Sequence, residues 1–186
     1  NPNYWGESLS CSGNHLLVSG NGTNQAAYIF ERDTNGAWGT VVSGTSGITT
    51  TYSEGAKLTG SNTETNDYFG SSSAISGNYA IVGARYEDSD GTDLSGNNNN
   101  RSASGAAYIF ERDPDTGIWS QYPTVFKTNT DNSSSLNNGN VDDSFGWAVA
   151  IDGNYAMISA PNYTGRGMAL IFERDTAGNW NYAERL

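Results

Sequence analysis

Ala27-Tyr28-Ile29-Phe30-Glu31-Arg32-Asp33 returns as Ala107-Tyr108-Ile109-Phe110-Glu111-Arg112-Asp113 and again as Ala169-Leu170-Ile171-Phe172-Glu173-Arg174-Asp175. One apolar run ending in a Glu-Arg-Asp triplet, written three times at long spacing, marks a repeat architecture. It also sorts the residues. Whatever recurs in every copy reads as scaffold, and whatever occurs once is where a specific site is to be sought.

Each copy carries two further anchors. An aromatic-Gly pair opens it: Trp5-Gly6, Phe69-Gly70 and Phe145-Gly146. A Gly-Asn turn then leads into a second apolar run, at Gly13-Asn14, Gly77-Asn78 and Gly153-Asn154. After the triplet comes a Gly-containing turn and a tryptophan, Trp38, Trp119 or Trp180. The apolar runs are short, rich in β-branched and aromatic residues and bounded by Gly, Asn, Asp or Ser, which predicts strands. No segment sustains a capped helical period. Each copy therefore holds four antiparallel strands, the last running outward from the tryptophan. Four strands per repeat make the blade of a β-propeller. The fold class is all-β, with blade one at about 3–58, blade two at about 67–127 and blade three at about 143–186 of a single propeller region.

The residues that carry these anchors resemble a known family. Phe69-Gly70-Ser71-Ser72-Ser73-Ala74-Ile75, then Ile81-Val82-Gly83-Ala84, then Gly105-Ala106-Ala107-Tyr108-Ile109-Phe110 is similar to the FG-GAP repeat. Phe145-Gly146-Trp147-Ala148-Val149 through Ser159-Ala160-Pro161 resembles it too, with the Ala-Pro of the motif. The resemblance implies the propeller found in integrin α chains and in many surface and secreted proteins. What it implies about function is a non-enzymatic adhesion or ligand-binding module, placed extracellularly or at the cell surface. Fold alone does not fix function. Integrin-type blades often hold calcium between their first two strands. Here that connection is only Ser12-Gly13-Asn14, Ser76-Gly77-Asn78 or Asp152-Gly153-Asn154, too short to wrap six to eight oxygens. The family's metal sites do not transfer.

Three blades fall short of the four to eight that close a ring, and each end blade would leave an apolar face to cover. Further blades from a longer parent chain, a homodimeric six-bladed ring, or stacking into an extracellular fibre or surface layer each answer this. The first residue is Asn1 rather than Met, which fits a processed or excised piece.

Composition narrows the partners. The 186 residues are enough for one domain with a real core. A net charge of -11 argues against nucleic acid and anionic membrane surfaces, which need a basic footprint. No apolar run approaches the roughly 18 residues of a membrane span. One cysteine permits no internal disulfide, and one histidine and one cysteine do not make a His/Cys zinc site. Sequons stand at Asn21, Asn100, Asn132 and Asn162, as a chain this rich in Asn, Ser and Thr produces by chance.

Strand parity places the Gly-Asn and Arg-Asp turns at one end of every blade. The long insertions, roughly 43–67, 85–105 and 127–143, then fall at the other, and loops on a rigid scaffold are where binding sites concentrate. That loop face is expected to take a protein or glycan ligand. Glu87, Asp88, Asp90 and Asp93 surround Gly91, and alternating carboxylates before a glycine suit calcium. The loop match is partial, because Tyr86 falls at the first ligand position and no glutamate closes it. Asp131 and the pair Asp142-Asp143 are weaker candidates, and the pair also suits a turn cap. Asn98 and Asn100, in a run of asparagines, offer Asx turns or hydrogen bonds to sugars, with Tyr86 and Tyr163 as stacking platforms for a lectin-like binder.

The self-alignment removes other candidates. Cys11 stands where Ile75 and Ile151 stand, so it is expected to be a buried small hydrophobe. His15 aligns with Tyr79 and Tyr155, a packing position, and the two do not read as a nucleophilic pair. The Glu-Arg-Asp triplets, present in all copies, are expected to cap a turn and pair neighbouring blades.

Overall fold

The computed structural model describes residues 5–21, 25–38, 40–44, 47–51, 56–89, 101–127 and 142–186. Blade one contains β1 (Ser8–Ser12), β2 (His15–Gly20) and β3 (Ala26–Glu31), then a hairpin of β4 (Thr40–Gly44) and β5 (Gly47–Thr51), then β6 (Ala56–Leu58). Blade two contains β7 (Phe69–Ser76), β8 (Tyr79–Ala84), β9 (Ala106–Arg112) and β10 (Trp119–Phe126). Blade three contains β11 (Val149–Asp152), β12 (Tyr155–Ala160), β13 (Met168–Arg174) and β14 (Trp180–Arg185). Three four-stranded sheets result, β1-β2-β3-β6, β7-β8-β9-β10 and β11-β12-β13-β14, antiparallel throughout. The all-β, blade-by-blade architecture is the one expected.

Blade one departs from the expected pattern. Trp38 forms only a bridge to Arg32, and the fourth-strand place beside β3 is taken by β6. The β4-β5 hairpin therefore belongs to the connection between third and fourth strands. The 43–67 insertion is thus not wholly on the loop face; only the part after β6 lies there. A tryptophan alone does not start a strand, because the residues after it must also pair with β3.

The sheets stack face to face, and burial follows from that. Blade two is covered on both faces, so Ala80, Ile81, Val82 and Ala84 of β8 are all fully buried. Blade three has one covered face, so β12 alternates, with Ala156, Ile158 and Ala160 inside and Met157 exposed. One core lies between blades one and two, built from Leu17, Ile29, Leu58, Phe69, Val82, Tyr108 and Phe110. The other lies between blades two and three, built from Ile81, Ile109, Phe126, Phe145, Ile158, Leu170, Phe172 and Trp180. Burying such a side chain is worth about 1.5–3 kcal/mol, so the stacking is the main source of cohesion.

The glycine of the aromatic-Gly pair makes the close stacking possible. Gly146 has φ +83, and a Cβ there would lie 2.2 Å from the Ala106 carbonyl oxygen. Only a residue without a side chain lets the third blade start against the second. Serines then pin the inner strands together. Ser8, Ser10 and Ser12 accept from the backbone N–H groups of Ser73, Ile75 and Gly77 at 2.9, 3.1 and 2.9 Å.

Those serines turn one side of β1 toward blade two and leave Leu9 and Cys11 on the other. The expectation for Cys11 is corrected here, because it is exposed. Ile75 and Ile151 are buried because a preceding blade covers them, and among the described residues nothing covers Cys11.

Candidate functional site: the loop face and a cleft around Arg85

The triplets do structural work at the opposite end from the long loops. The aspartates cap the turn: Asp33 Oδ1 accepts from Asn35 and Ala37, Asp113 Oδ1 from Asp115 and Thr116, and Asp175 Oδ1 from Ala177 and Asn179. Those bonds hold the Asp113 and Asp175 carboxyls below the usual carboxylate range. The arginines cross to the preceding blade. Arg112 Nε donates to Glu31 at 3.2 Å, and Arg174 Nε donates to Glu111 at 3.3 Å. An aromatic pair accompanies each: His15 with Trp119 and Tyr79 with Trp180, both at 5.9 Å and edge-to-face. His15 is thus a packing residue, as the alignment indicates. It pairs with Ser12 across the turn, whereas Cys11 pairs with Leu16. Adjacent register positions point to opposite faces, so Cys11 and His15 do not converge.

At the loop end, a buried polar network ties three connections together. The Lys127 ammonium and the Glu87 carboxylate form an ion pair with side chains 1% and 2% exposed. Asn62 donates to Glu87 at 2.7 Å and to Ser89 at 3.1 Å, and the Ser89 N–H donates to Glu87 at 3.1 Å. Lys127 also donates to the Gly105 carbonyl at 3.1 Å, and the Tyr108 hydroxyl donates to Asn62 at 2.9 Å. Burial, with the charges of Glu87 and Asp67 nearby, pushes the Tyr108 phenol well above its ordinary range. Asp67 is buried beside this network. Loss of water, opposed by the Glu64 N–H bond and aided by the charges of Glu87, Asp88 and Glu64, raises its carboxyl to about 7.

Of the calcium set, Glu87 is committed to Lys127, Asn62 and Ser89. Asp88 accepts from the Ala103 N–H at 2.7 Å, which closes its loop. Asp90 and Asp93 lie outside the described residues, as do Asn98, Asn100 and Asp131. Among the described residues no group of three or more His, Cys, Asp or Glu side chains is placed to hold a metal ion. Asp142 is exposed with φ +67, and its N–H donates to the Ser102 carbonyl, while Asp143 is buried. Tyr163 sits in a short 3₁₀ turn, Tyr163–Gly165, packed against the core between blades two and three. Tyr86 stays on the loop face, edge-to-face with Tyr68 at 4.8 Å.

Tyr86 belongs to a feature that sequence reasoning misses. A cleft of about 430 Å³ opens between blades one and two, lined by Trp5, Gly6, Glu7, Asn21, Tyr68 and Arg85. All six lie just before a first strand or just after a second, so strand parity puts them at the loop end. The Arg85 guanidinium packs against three rings, Tyr68 at 5.1 Å, Tyr86 at 5.3 Å and Trp147 at 4.9 Å. Glu7 stands 3.6 Å from Arg85 Nη1. Arg85 Nε and Asn21 Oδ1 are both buried and have no hydrogen-bond partner among the described residues. One signal could have found the site. Arg85 aligns with Asn21 and Pro161, and Trp147 with Glu7 and Ser71, so both are unlike their counterparts in the other copies.

The FG-GAP repeat model matches residues 52–110 and 135–172, together just over half of the chain. No curated protein sequence matches. A crystal structure of a protein from Lactobacillus plantarum is similar over 96% of this chain, with a TM-score of 0.50 and 15% identity. The chain spans 40% of that protein's length, and the likeness concerns fold alone. With the Phe-Gly glycines seated between stacked four-stranded blades, the chain belongs to the FG-GAP repeat family.

Proposed function

We propose that this β-propeller region is a non-enzymatic recognition module, acting outside the cell or at its surface, that takes a protein or glycan partner on its loop face. The observation that carries this reading is the cleft around Arg85, where the Arg85 and Glu7 side chains stand beside exposed Trp5 between two stacked blades. Concave sites with aromatic walls and a few convergent polar groups are the usual form of a binding site, and about 300–1,000 Å³ is their usual size. The test is adhesion of beads coated with the chain to cell surfaces and matrix polymers. Arg85→Ala is expected to abolish adhesion in a chain that still folds, with a lowered melting temperature from the lost Glu7 pair and ring contacts, and equal adhesion by the variant rejects the reading. Calcium is a subordinate proposal resting on Asp88, Asp90 and Asp93, since Glu87 already neutralises Lys127.

A second reading, assembly through the blade ends, is favoured by a specific observation. Blade three carries Tyr155 and Glu173 at the places where Tyr79 and Glu111 receive the next blade, and both are exposed. Blade one carries Arg32 and Trp38 at the places of the complementary half. Arg32 Nε donates instead to the Gly36 carbonyl at 2.7 Å. Further blades of a longer parent are the first candidate to complete these halves, and a second copy, in a ring or a fibre, is the other. Sedimentation of the isolated chain at rising concentration, with Glu173→Arg as control, tests the second copy. A monomer at every concentration sinks it.

A further inference from the structure

We propose that Asn62 and Lys127 join in an intramolecular amide, formed by attack of the Lys127 amine on the Asn62 side-chain carbonyl with loss of ammonia. One carboxylate holds both partners. Glu87 forms the buried ion pair with Lys127 through Oε2, and its Oε1 accepts from the Asn62 side-chain N–H at 2.7 Å. A carboxylate only accepts, so it fixes the amide with nitrogen toward Glu87 and the carbonyl oxygen away from it. That oxygen accepts from the Tyr108 hydroxyl at 2.9 Å. The Lys127 amine also donates to the Ser104 hydroxyl at 3.3 Å and the Gly105 carbonyl at 3.1 Å. The proton it gives up is therefore the one aimed at Glu87, and the lone pair left behind opens on the carboxylate that binds Asn62.

These are the parts of an acyl transfer: a nucleophile, a proton carrier touching it, and a donor on the carbonyl oxygen. Glu87 takes a proton from the Lys127 ammonium, and the freed amine attacks Asn62 Cγ. Negative charge then builds on Asn62 Oδ1, where the Tyr108 hydroxyl donates. Burial, with the charges of Glu87 and Asp67, holds that phenol well above its ordinary range, so the donor keeps its proton. Glu87 passes its proton to the Asn62 nitrogen, the old C–N bond breaks, and ammonia leaves. Of the three ammonium hydrogens, one stays on the new amide, one departs in ammonia and one ends on Glu87. The product buries no charge in place of an ion pair, whose removal from water is costly.

The site is seated before any reaction. The Ser61 N–H donates to Gln121 of β10 at 2.8 Å, and a Cβ at Gly60 would lie 2.9 Å from the Tyr108 ring, so the segment carrying Asn62 is held against blade two. The bond ties the connection that leaves β6 to the residue that follows β10. It staples blade one to blade two in a chain whose single cysteine permits no disulfide.

The test is intact mass spectrometry of the full chain at intervals after refolding, with tandem mapping of its digest. Freshly refolded chain is expected to carry the ion pair. On standing it is expected to lose the mass of one ammonia as a branched peptide joining Asn62 to Lys127 appears. Melting temperature is expected to rise in step, because closing a loop constrains the unfolded chain. Tyr108→Phe is expected to slow the reaction about a hundredfold, as loss of one oxyanion donor does, and Asn62→Ala and Glu87→Gln to stop it. The unaltered chain decides the matter even where a variant fails to fold. Full mass retained by folded chain after several days overturns the inference. Loss of ammonia without the branched peptide also overturns it, since a succinimide at an Asn-Gly pair accounts for that mass. Loss of water with Lys127 joined to Glu87 overturns it too, because the carboxylate is then the acyl donor.

Discussion

Arg174 Nε meets Glu111 Oε1 at 3.3 Å across the boundary between blades two and three, repeating within 0.1 Å the bond from Arg112 to Glu31 at 3.2 Å one boundary earlier. Glu111 also accepts from the Trp180 indole N–H at 3.3 Å, and Arg174 lies 4.9 Å from the Tyr79 ring. The side chains are 22% and 29% exposed, which places the pair between surface and buried. Arg174→Ala is expected to cost about 1 kcal/mol, with a further loss from its stacking on Tyr79. A double-mutant cycle with Glu111→Ala, read by urea denaturation, checks this; additivity of the two losses would mean no coupling.

The buried Glu87–Lys127 pair makes a larger and more asymmetric prediction. Lys127→Met leaves a carboxylate uncompensated inside the loop platform and is expected to cost about 3–5 kcal/mol. Adding Glu87→Gln removes the stranded charge while its amide oxygen still accepts from Asn62 and Ser89. The double variant is therefore expected to regain more than half of the loss in thermal or urea unfolding.

Asp67 links stability to pH. Its carboxyl titrates at about 7 in the folded chain, above the unfolded value of about 3.9. The native state therefore holds its proton more tightly. The contribution is fully present below the unfolded value, and it is lost as pH rises through 7. Melting temperature is expected to fall between pH 5 and pH 8, flanking the value of about 7. Asp67→Asn, which keeps an oxygen for the Glu64 N–H, is expected to flatten that part of the profile. An unchanged slope in the variant would assign the pH dependence elsewhere.

The repeat's glycines are not equivalent. Gly146→Ala forces a Cβ to 2.2 Å from the Ala106 carbonyl oxygen at φ +83, and is expected to cost about 3 kcal/mol or more. Gly153, at φ +54 with open space around it, loses only through the left-handed backbone, about 1 kcal/mol. Equal losses in chemical denaturation would contradict the stacking role of the Phe-Gly pair.

Calcium offers a direct test of the 85–105 loop. With Glu87 committed to Lys127 and the proposal resting on Asp88, Asp90 and Asp93, millimolar calcium is expected to raise the melting temperature by several degrees over the EDTA value, since a ligand that binds the folded state selectively raises it. A rise of several degrees, lost in Asp88→Asn, would make the loop a metal site.

The repeat makes the strands, the sheet count and the interblade role of the Glu-Arg pairs legible, because periodicity and turn chemistry are local and copied three times. Cys11 escapes this logic because alignment equates positions within a blade and says nothing about whether another blade covers them. Glu87 and Lys127 stand forty residues apart, and burial turns a solvated-looking acidic loop into a charge pair. The cleft draws Trp5, Glu7, Asn21, Tyr68 and Arg85 from two blades, and only stacking brings them together. Its one textual clue is that Arg85 has no counterpart in the other copies.

The serine-pinned, Arg-to-Glu joints carry a consequence for order. Each blade presents one kind of side to its predecessor and the opposite kind to its successor, so the stack has direction, like links that hook only one way. The joint between blades one and two repeats the Arg-to-Glu bond of the joint between blades two and three, and sets His15 against Trp119 where the other sets Tyr79 against Trp180. The Arg-to-Glu bond itself holds no information about rank, since Arg32, Arg112 and Arg174 stand at one place of the repeat and Glu31, Glu111 and Glu173 at another. Sequence in the stack is then kept by the covalent connections rather than by recognition. A circularly permuted chain, or one with a blade duplicated, is expected to assemble with the same joints.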